Sequence, residues 1–208
     1  MILMLEKQIH TACSSQHYDM AATLVVEHFG PEIFSFLATF SRRQADTDDI
    51  FSDFLEDFWR GLPGFQWRCS IRAWAYTLAR HAARRFIRRP HRHARRNIPL
   101  SQVPGLADAA DQVRTTTAHY LRTRPKSRMR ELREQLPQED QTLLVLRVDR
   151  GLSWRELAMV MSEEATPPDN DELEIIIPRL RKRFQRLKSK LRKLAELEGL
   201  LEASTKTD

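Results

Sequence analysis

Apolar residues recur three and four positions apart through most of this chain, as in Ile50, Phe51, Phe54, Leu55 and Phe58, and no stretch alternates apolar with polar between hairpin turns. That periodicity predicts an all-α fold. A chain of 208 residues accommodates one ordinary domain or two small ones, and a change in composition near the middle favours two small helical domains joined by a linker.

Local signals divide the chain further. Residues 1–17 read as an N-terminal extension and 18–97 as the first domain. A helix is expected from Asp19, with Leu24, Val25 and Phe29 on one face, and Gly30-Pro31 is expected to restart the chain into a second helix, Glu32 to Phe40. After a polar joint at Ser41 to Ala45, Asp46-Thr47-Asp48-Asp49 places carboxylates where a third helix begins, at the end its dipole favours. That helix should stop before Gly61-Leu62-Pro63-Gly64, and a fourth should run from about Ser70 to Arg89, ended by Pro90. Pro99, Pro104, Gly105 and Pro125 mark 98–127 as an interdomain linker, with one short helix, Ala109 to Leu121, whose apolar face is thin.

The second domain is expected over 128–198, followed by a tail, 199–208. Gly151 suits the residue just past a helix end, and Ser153 with Glu156 forms a capping-box pattern ahead of Leu157, Ala158, Val160 and Met161. A turn followed by a short helix is the first half of a helix-turn-helix. The following stretch, Ser162 to Asp171, is unusually long for the turn of that motif. The last helix is basic around Arg179 to Lys188. Pro178 lies inside it if it begins near Asp171, or occupies its first position if it begins at Pro178, and the second placement is the expectation carried forward. Leu180, Phe184, Leu187, Leu191 and Leu194 follow a coiled-coil-like spacing, but two heptads are too few for a coiled coil, so packing within its own domain is expected.

Charge points to the partner. Lys plus Arg number 34 against 28 Asp plus Glu, a net of +6, and the positive charge is clustered. Between Arg80 and Arg96 there are eight arginines, three histidines and no acid, directly after the aromatic stretch Phe65-Gln66-Trp67 to Trp74-Ala75-Tyr76. Guanidinium groups neutralise phosphates and aromatic faces accept unstacked bases, so the pairing suits an opened nucleic acid strand. Cys13 and Cys69 stand far apart without a metal-ligand pattern, and His81, His91 and His93 have no converging Cys or carboxylate, so no metal and no cofactor are expected. The Met1 to Leu5 run is too short for a signal core, and no run is long enough to span a bilayer. A cytoplasmic protein without membrane insertion is the expectation.

The order of these features resembles that of an extracytoplasmic-function (ECF) sigma factor of the sigma-70 family. Asp46-Thr47-Asp48-Asp49-Ile50-Phe51-Ser52-Asp53-Phe54 resembles the family's polymerase-binding segment. Ser70-Ile71-Arg72-Ala73-Trp74-Ala75-Tyr76-Thr77-Leu78-Ala79-Arg80 resembles its promoter-melting helix, continued by Arg84 to Arg89. Leu136-Pro137-Gln138-Glu139-Asp140, Arg147 and Gly151 to Ala158 resemble its helix-turn-helix. The likeness covers about 18–96 and 128–194. It departs at His81 and Arg85, where Asn and an acid are usual, and at the expanded turn.

The resemblance implies core RNA polymerase, promoter DNA and an anti-sigma factor as partners, and no catalysis. It implies Asp48, Asp49, Asp53, Phe54 and Trp59 for polymerase binding. For the melted minus-10 strand it implies Trp67, Arg72, Trp74, Arg80, Arg84 and Arg88. For the minus-35 element the candidates are Ser153, Arg155, Arg179, Arg181, Lys182, Arg183 and Arg186, with arginine to guanine the commonest specific pair. Two rival readings stay open. A helix-turn-helix regulator that never docks on polymerase leaves Asp46 to Trp59 unexplained. A Mg²⁺-dependent nucleic-acid enzyme would need Asp46, Asp48, Asp49 and Asp53 to hold the metal, yet all four lie near one helix start with no partner cluster.

Overall fold

The computed structural model describes residues 2–41, 43–88, 103, 105–123, 127–162 and 168–200. Every regular element among them is helical, and the chain divides into two compact units at Arg124 and Pro125. The all-α expectation holds.

The first unit is built around α2 (Tyr18–Leu37), which touches α1 (Ile2–Ser14), α3 (Gln44–Gly61), α4 (Ile71–Arg88) and α5 (Leu106–Thr123). Its buried residues, Ala21, Ala22, Val25, Val26, Phe29, Ile33, Phe34, Phe36 and Leu37, surround the helix on several sides, as a central helix requires. The break expected at Gly30-Pro31 does not occur: Pro31 lies inside α2. A proline inside a helix costs about 3 kcal/mol, but Phe29, Ile33 and Phe34 flank it in the core, and their burial at roughly 1.5–3 kcal/mol each exceeds that cost. Gly30 serves packing instead. A Cβ there would lie 2.8 Å from Val113 Cγ2, so the glycine permits the close approach of α5.

The segment expected to be a linker thus contributes to the first unit an 18-residue helix, α5, buried along Leu106, Ala109, Ala110, Val113, Thr117 and Ala118. Its small residues account for a thin apolar face in the sequence, and they suit a helix seated close against α2. Helix α1, in the stretch read as an extension, also packs on α2, through Leu5, Ile9 and Ala12. It ends in a left-handed residue, Gln16, with His17 N–H donating to Ala12 O.

The second unit comprises α6 (Arg128–Glu134), α7 (Gln138–Leu144), a π-helical turn (Val145–Asp149), α8 (Trp154–Met161) and α9 (Asn170–Leu197). Gly151 has φ +69°, the left-handed region expected of a residue past a helix end. Both halves of the Ser153–Glu156 capping box form. A second capping box, Asp169 with Glu172, starts α9 eight residues before Pro178. The expectation that Pro178 opens this helix is therefore corrected. Two reciprocal hydrogen bonds fix the start at Asn170, and Pro178 is exposed, so its ring displaces no core packing.

Candidate functional site

The acidic start of α3 lies open on one side and is tied down on the other. Asp49 is exposed, and Asp53, four residues on and thus on the same face, is partly exposed, as is Trp59. Asp48 sits at the edge, where burial pushes its carboxyl above the usual range, Arg114 of α5 draws it down and Asp49 pushes it up. Arg114 lies over the Phe51 ring, 5.5 Å from its centroid, and donates to Ser52 Oγ at 2.9 Å. Phe54, expected to reach a partner, is instead fully buried in contact with Phe51 and Phe58, so it serves the core.

From that core a continuous row of rings leads outward. Phe58 meets Trp74 at 5.0 Å, Trp74 stacks on Phe65 at 4.6 Å and 22°, Phe65 meets Trp67 at 4.9 Å, and Trp67 meets His10 of α1 at 4.6 Å. Trp74 and Trp67 are partly exposed, whereas Tyr76 is fully buried. Two residues apart on α4, they cannot share a face, and it is the tyrosine that points inside. Gly61 makes room for the row, because a Cβ there would lie 2.9 Å from Trp74 Cζ2. Trp67 has φ +56°. A left-handed backbone costs a non-glycine residue about 1–2 kcal/mol, and such strain persists only where surrounding contacts hold it. Phe65 and His10 were not among the sequence-level candidates. Phe65 was legible in the aromatic stretch, but nothing near His10 signalled a ring that only tertiary packing brings to Trp67.

The arginines of α4 are distributed unequally. Arg72 forms a two-pronged pair with Glu32 of α2, at 2.6 and 2.8 Å, and lies over Tyr76. Arg80, expected to face the strand, is instead buried at 1 % exposure. It lies four residues after Tyr76, on the inward face of α4. Arg85 pairs with Asp57 of α3. His81 is held below its ordinary pKa by burial and by the charges of Arg80, Arg85 and Arg84, against a weaker upward pull from Asp57. Arg84 is partly exposed and Arg88 is exposed. The rest of the basic run, residues 89–97, lies outside the described residues.

In the second unit, Ser153 is committed to capping α8, accepting from Glu156 N–H at 3.2 Å. Arg155 is exposed and donates to Asn170 Oδ1 at 3.0 Å. Trp154 lies between Arg147 and Arg181, 4.8 and 5.7 Å from its centroid, and meets Phe184 edge-on. Arg183 pairs with Asp140 at 2.7 Å. Arg181 is exposed but lies over Trp154, while Arg179, Lys182 and Arg186 are exposed three and four residues apart along one face of α9, away from the buried Leu173, Leu180 and Leu187. The first two turns of α9 carry Asp171, Glu172 and Glu174 instead, which oppose a phosphate backbone.

Residues 25–93, about a third of the chain, match the Sigma-70 region 2 family. The match takes in most of α2, all of α3 and α4 and the aromatic loop between them, and leaves out α1, α5 and the second unit. It supports a sigma factor of the sigma-70 family, because a region 2 domain implies a role in RNA polymerase binding and promoter melting. No curated protein and no solved structure gives a significant match to the chain. None of the described helices is long and apolar enough to cross a membrane.

Proposed function

We propose that this chain is an ECF-type sigma factor that docks on core RNA polymerase through the open face of α3, captures the melted minus-10 strand at the Trp67 end of the aromatic row and reads the minus-35 element with α9. The observation that carries the reading is that one region 2 unit holds both parts: Asp49, Asp53 and Trp59 on the open side of α3 with Asp48 at its edge, and a ring row that begins in the core and reaches a partly exposed tryptophan. The acidic face suits a basic partner surface. Stacking supplies about 1–3 kcal/mol per base, so two captured bases offset the few kcal/mol needed to unstack a step. In the second unit, Arg179, Lys182 and Arg186 supply the phosphate and base-edge contacts. An anti-sigma factor would act as the inhibitory partner, and the cytoplasm is the compartment where polymerase and promoter are met.

Replacement of Asp48 and Asp49 by lysine is expected to abolish co-purification with core polymerase while leaving the helical circular dichroism intact. Retained co-purification would refute the docking face. On a promoter recovered by in vitro transcription from a genomic library, Trp67→Ala should spare duplex binding and reduce permanganate-detected opening. Binding to promoter DNA without any affinity for polymerase would instead favour the regulator reading.

A further inference from the structure

We infer that α1 belongs to the strand-capturing site: His10 is a positioning residue that holds Trp67 in its left-handed conformation and so presents the open part of the indole to an unpaired nucleobase. The inference rests on the base-stacking role proposed for Trp67. Helix α1 lies outside residues 25–93, so the family match assigns it nothing.

Three observations converge on this pair. Trp67 is a non-glycine residue at φ +56°, in a loop that follows a 3-10 turn, Leu62–Gly64, so its own backbone does not favour the conformation it adopts. Its ring is held between two others, Phe65 at 4.9 Å and 54° and His10 at 4.6 Å and 55°. Phe65 is anchored by stacking on Trp74, which in turn touches the buried Phe58. His10 is anchored independently, because α1 buries Leu5, Ile9 and Ala12 against the unit and carries His10 one residue after the fully buried Ile9. Ser14 Oγ, one turn further along α1, lies 3.4 Å from His10 Nδ1. The loop is thus clamped from two sides by helices that are themselves packed.

An aromatic platform captures a base in proportion to how little it must reorganise on contact. With the His10 ring removed, Trp67 keeps one neighbour and the strained backbone is free to relax, which lowers the fraction of molecules with the indole presented. His10 itself is exposed and its imidazole is not needed by the core, so its removal separates presentation of Trp67 from folding.

The test uses the full chain and a fluorescein-labelled, mixed-sequence single-stranded DNA of about a dozen nucleotides, with a duplex of the same composition as control. Trp67→Ala should weaken single-strand binding at least about fivefold, the lower end of base–aromatic stacking. His10→Ala should weaken it about threefold, leave duplex binding and the thermal midpoint unchanged, and alter tryptophan emission; His10→Phe, which restores a ring without a charge, should recover binding. Loss in Trp67→Ala with no loss in His10→Ala would overturn the inference while leaving the stacking role of Trp67 intact. So would a loss in His10→Ala that phenylalanine does not restore. Equal binding by Trp67→Ala and the unaltered chain would remove the stacking role itself.

Discussion

Helices α4 and α9 carry five arginines each, more than any other described helix, and most of those in α4 are engaged by protein whereas α9 keeps a basic face open. In α4, Arg72 is clasped by Glu32, Arg80 is buried and Arg85 pairs with Asp57. In α9, Arg179, Lys182 and Arg186 stand exposed along one face. The difference lies in the neighbours. Helix α4 packs against both α2 and α3, so several of its sides meet protein, whereas α9 buries only the narrow line of Leu173, Leu180, Leu187 and Ala195. A long basic side chain next to a core buries its stem against protein, as Arg72 and Arg80 do, whereas on the open side of a helix its head stays in water. Arginine density in a sequence therefore marks a polyanion-binding surface only where the helix has a side left open.

The largest expected effect that tests this contrast is on stability. Arg80→Ala should lower the unfolding free energy by about 3 kcal/mol in urea titration, because it removes a large, fully enclosed side chain, whereas Arg186→Ala should stay within about 0.5 kcal/mol as an exposed substitution. Similar losses in both would erase the contrast. A double-mutant cycle on Glu32 and Arg72 should return a coupling of about 1.5 kcal/mol, since the pair is two-pronged and mostly withdrawn from water. No coupling there would make Arg72 a surface residue after all.

The next effect concerns DNA. Alanine at Arg179, Lys182 or Arg186 should each weaken duplex binding and lower the salt slope by about one, with a change in sequence preference confined to whichever of them reads a base edge. Serine at Asp171 or Glu174 should leave sequence preference alone and strengthen binding slightly, because acidic groups there oppose phosphate. An unchanged slope in all three basic variants would move the reading surface off this face.

The smallest effect is a pH dependence set by His81. Its folded pKa lies below the ordinary 6.5, so the unfolded chain binds its proton more readily, and stability rises with pH across the interval between the folded value and 6.5. The contribution is fully present above 6.5 and is lost as pH falls through the folded value. His81→Gln should flatten that part of the stability profile relative to the unaltered protein, read from thermal midpoints between pH 5 and 7.5. Superimposable profiles would mean that the imidazole is solvated, contrary to its placement among the α4 arginines.

Features set by local chemistry are legible in the amino-acid order alone. The all-α class, the Ser153–Glu156 cap and the left-handed Gly151 depend on residues within a few positions of each other, and each is found. The outer acids of α3 are legible for the same reason. Burial and continuity, by contrast, depend on which helix lies alongside. Gly30-Pro31 and Pro178 read as places to stop or start, yet α2 and α9 run through them, because core contacts on either side of Pro31 and an earlier capping box before Pro178 outweigh the local preference. Phe54 and Arg80 read as partner-facing and are enclosed. Helix α5 reads as linker and packs on α2, since alanines and a threonine make a weak local signal but a close fit against Gly30. His10 meets Trp67 from more than fifty residues away in the chain. No pattern of three- and four-residue spacings encodes that distance; it exists only once α1 has found its place on α2.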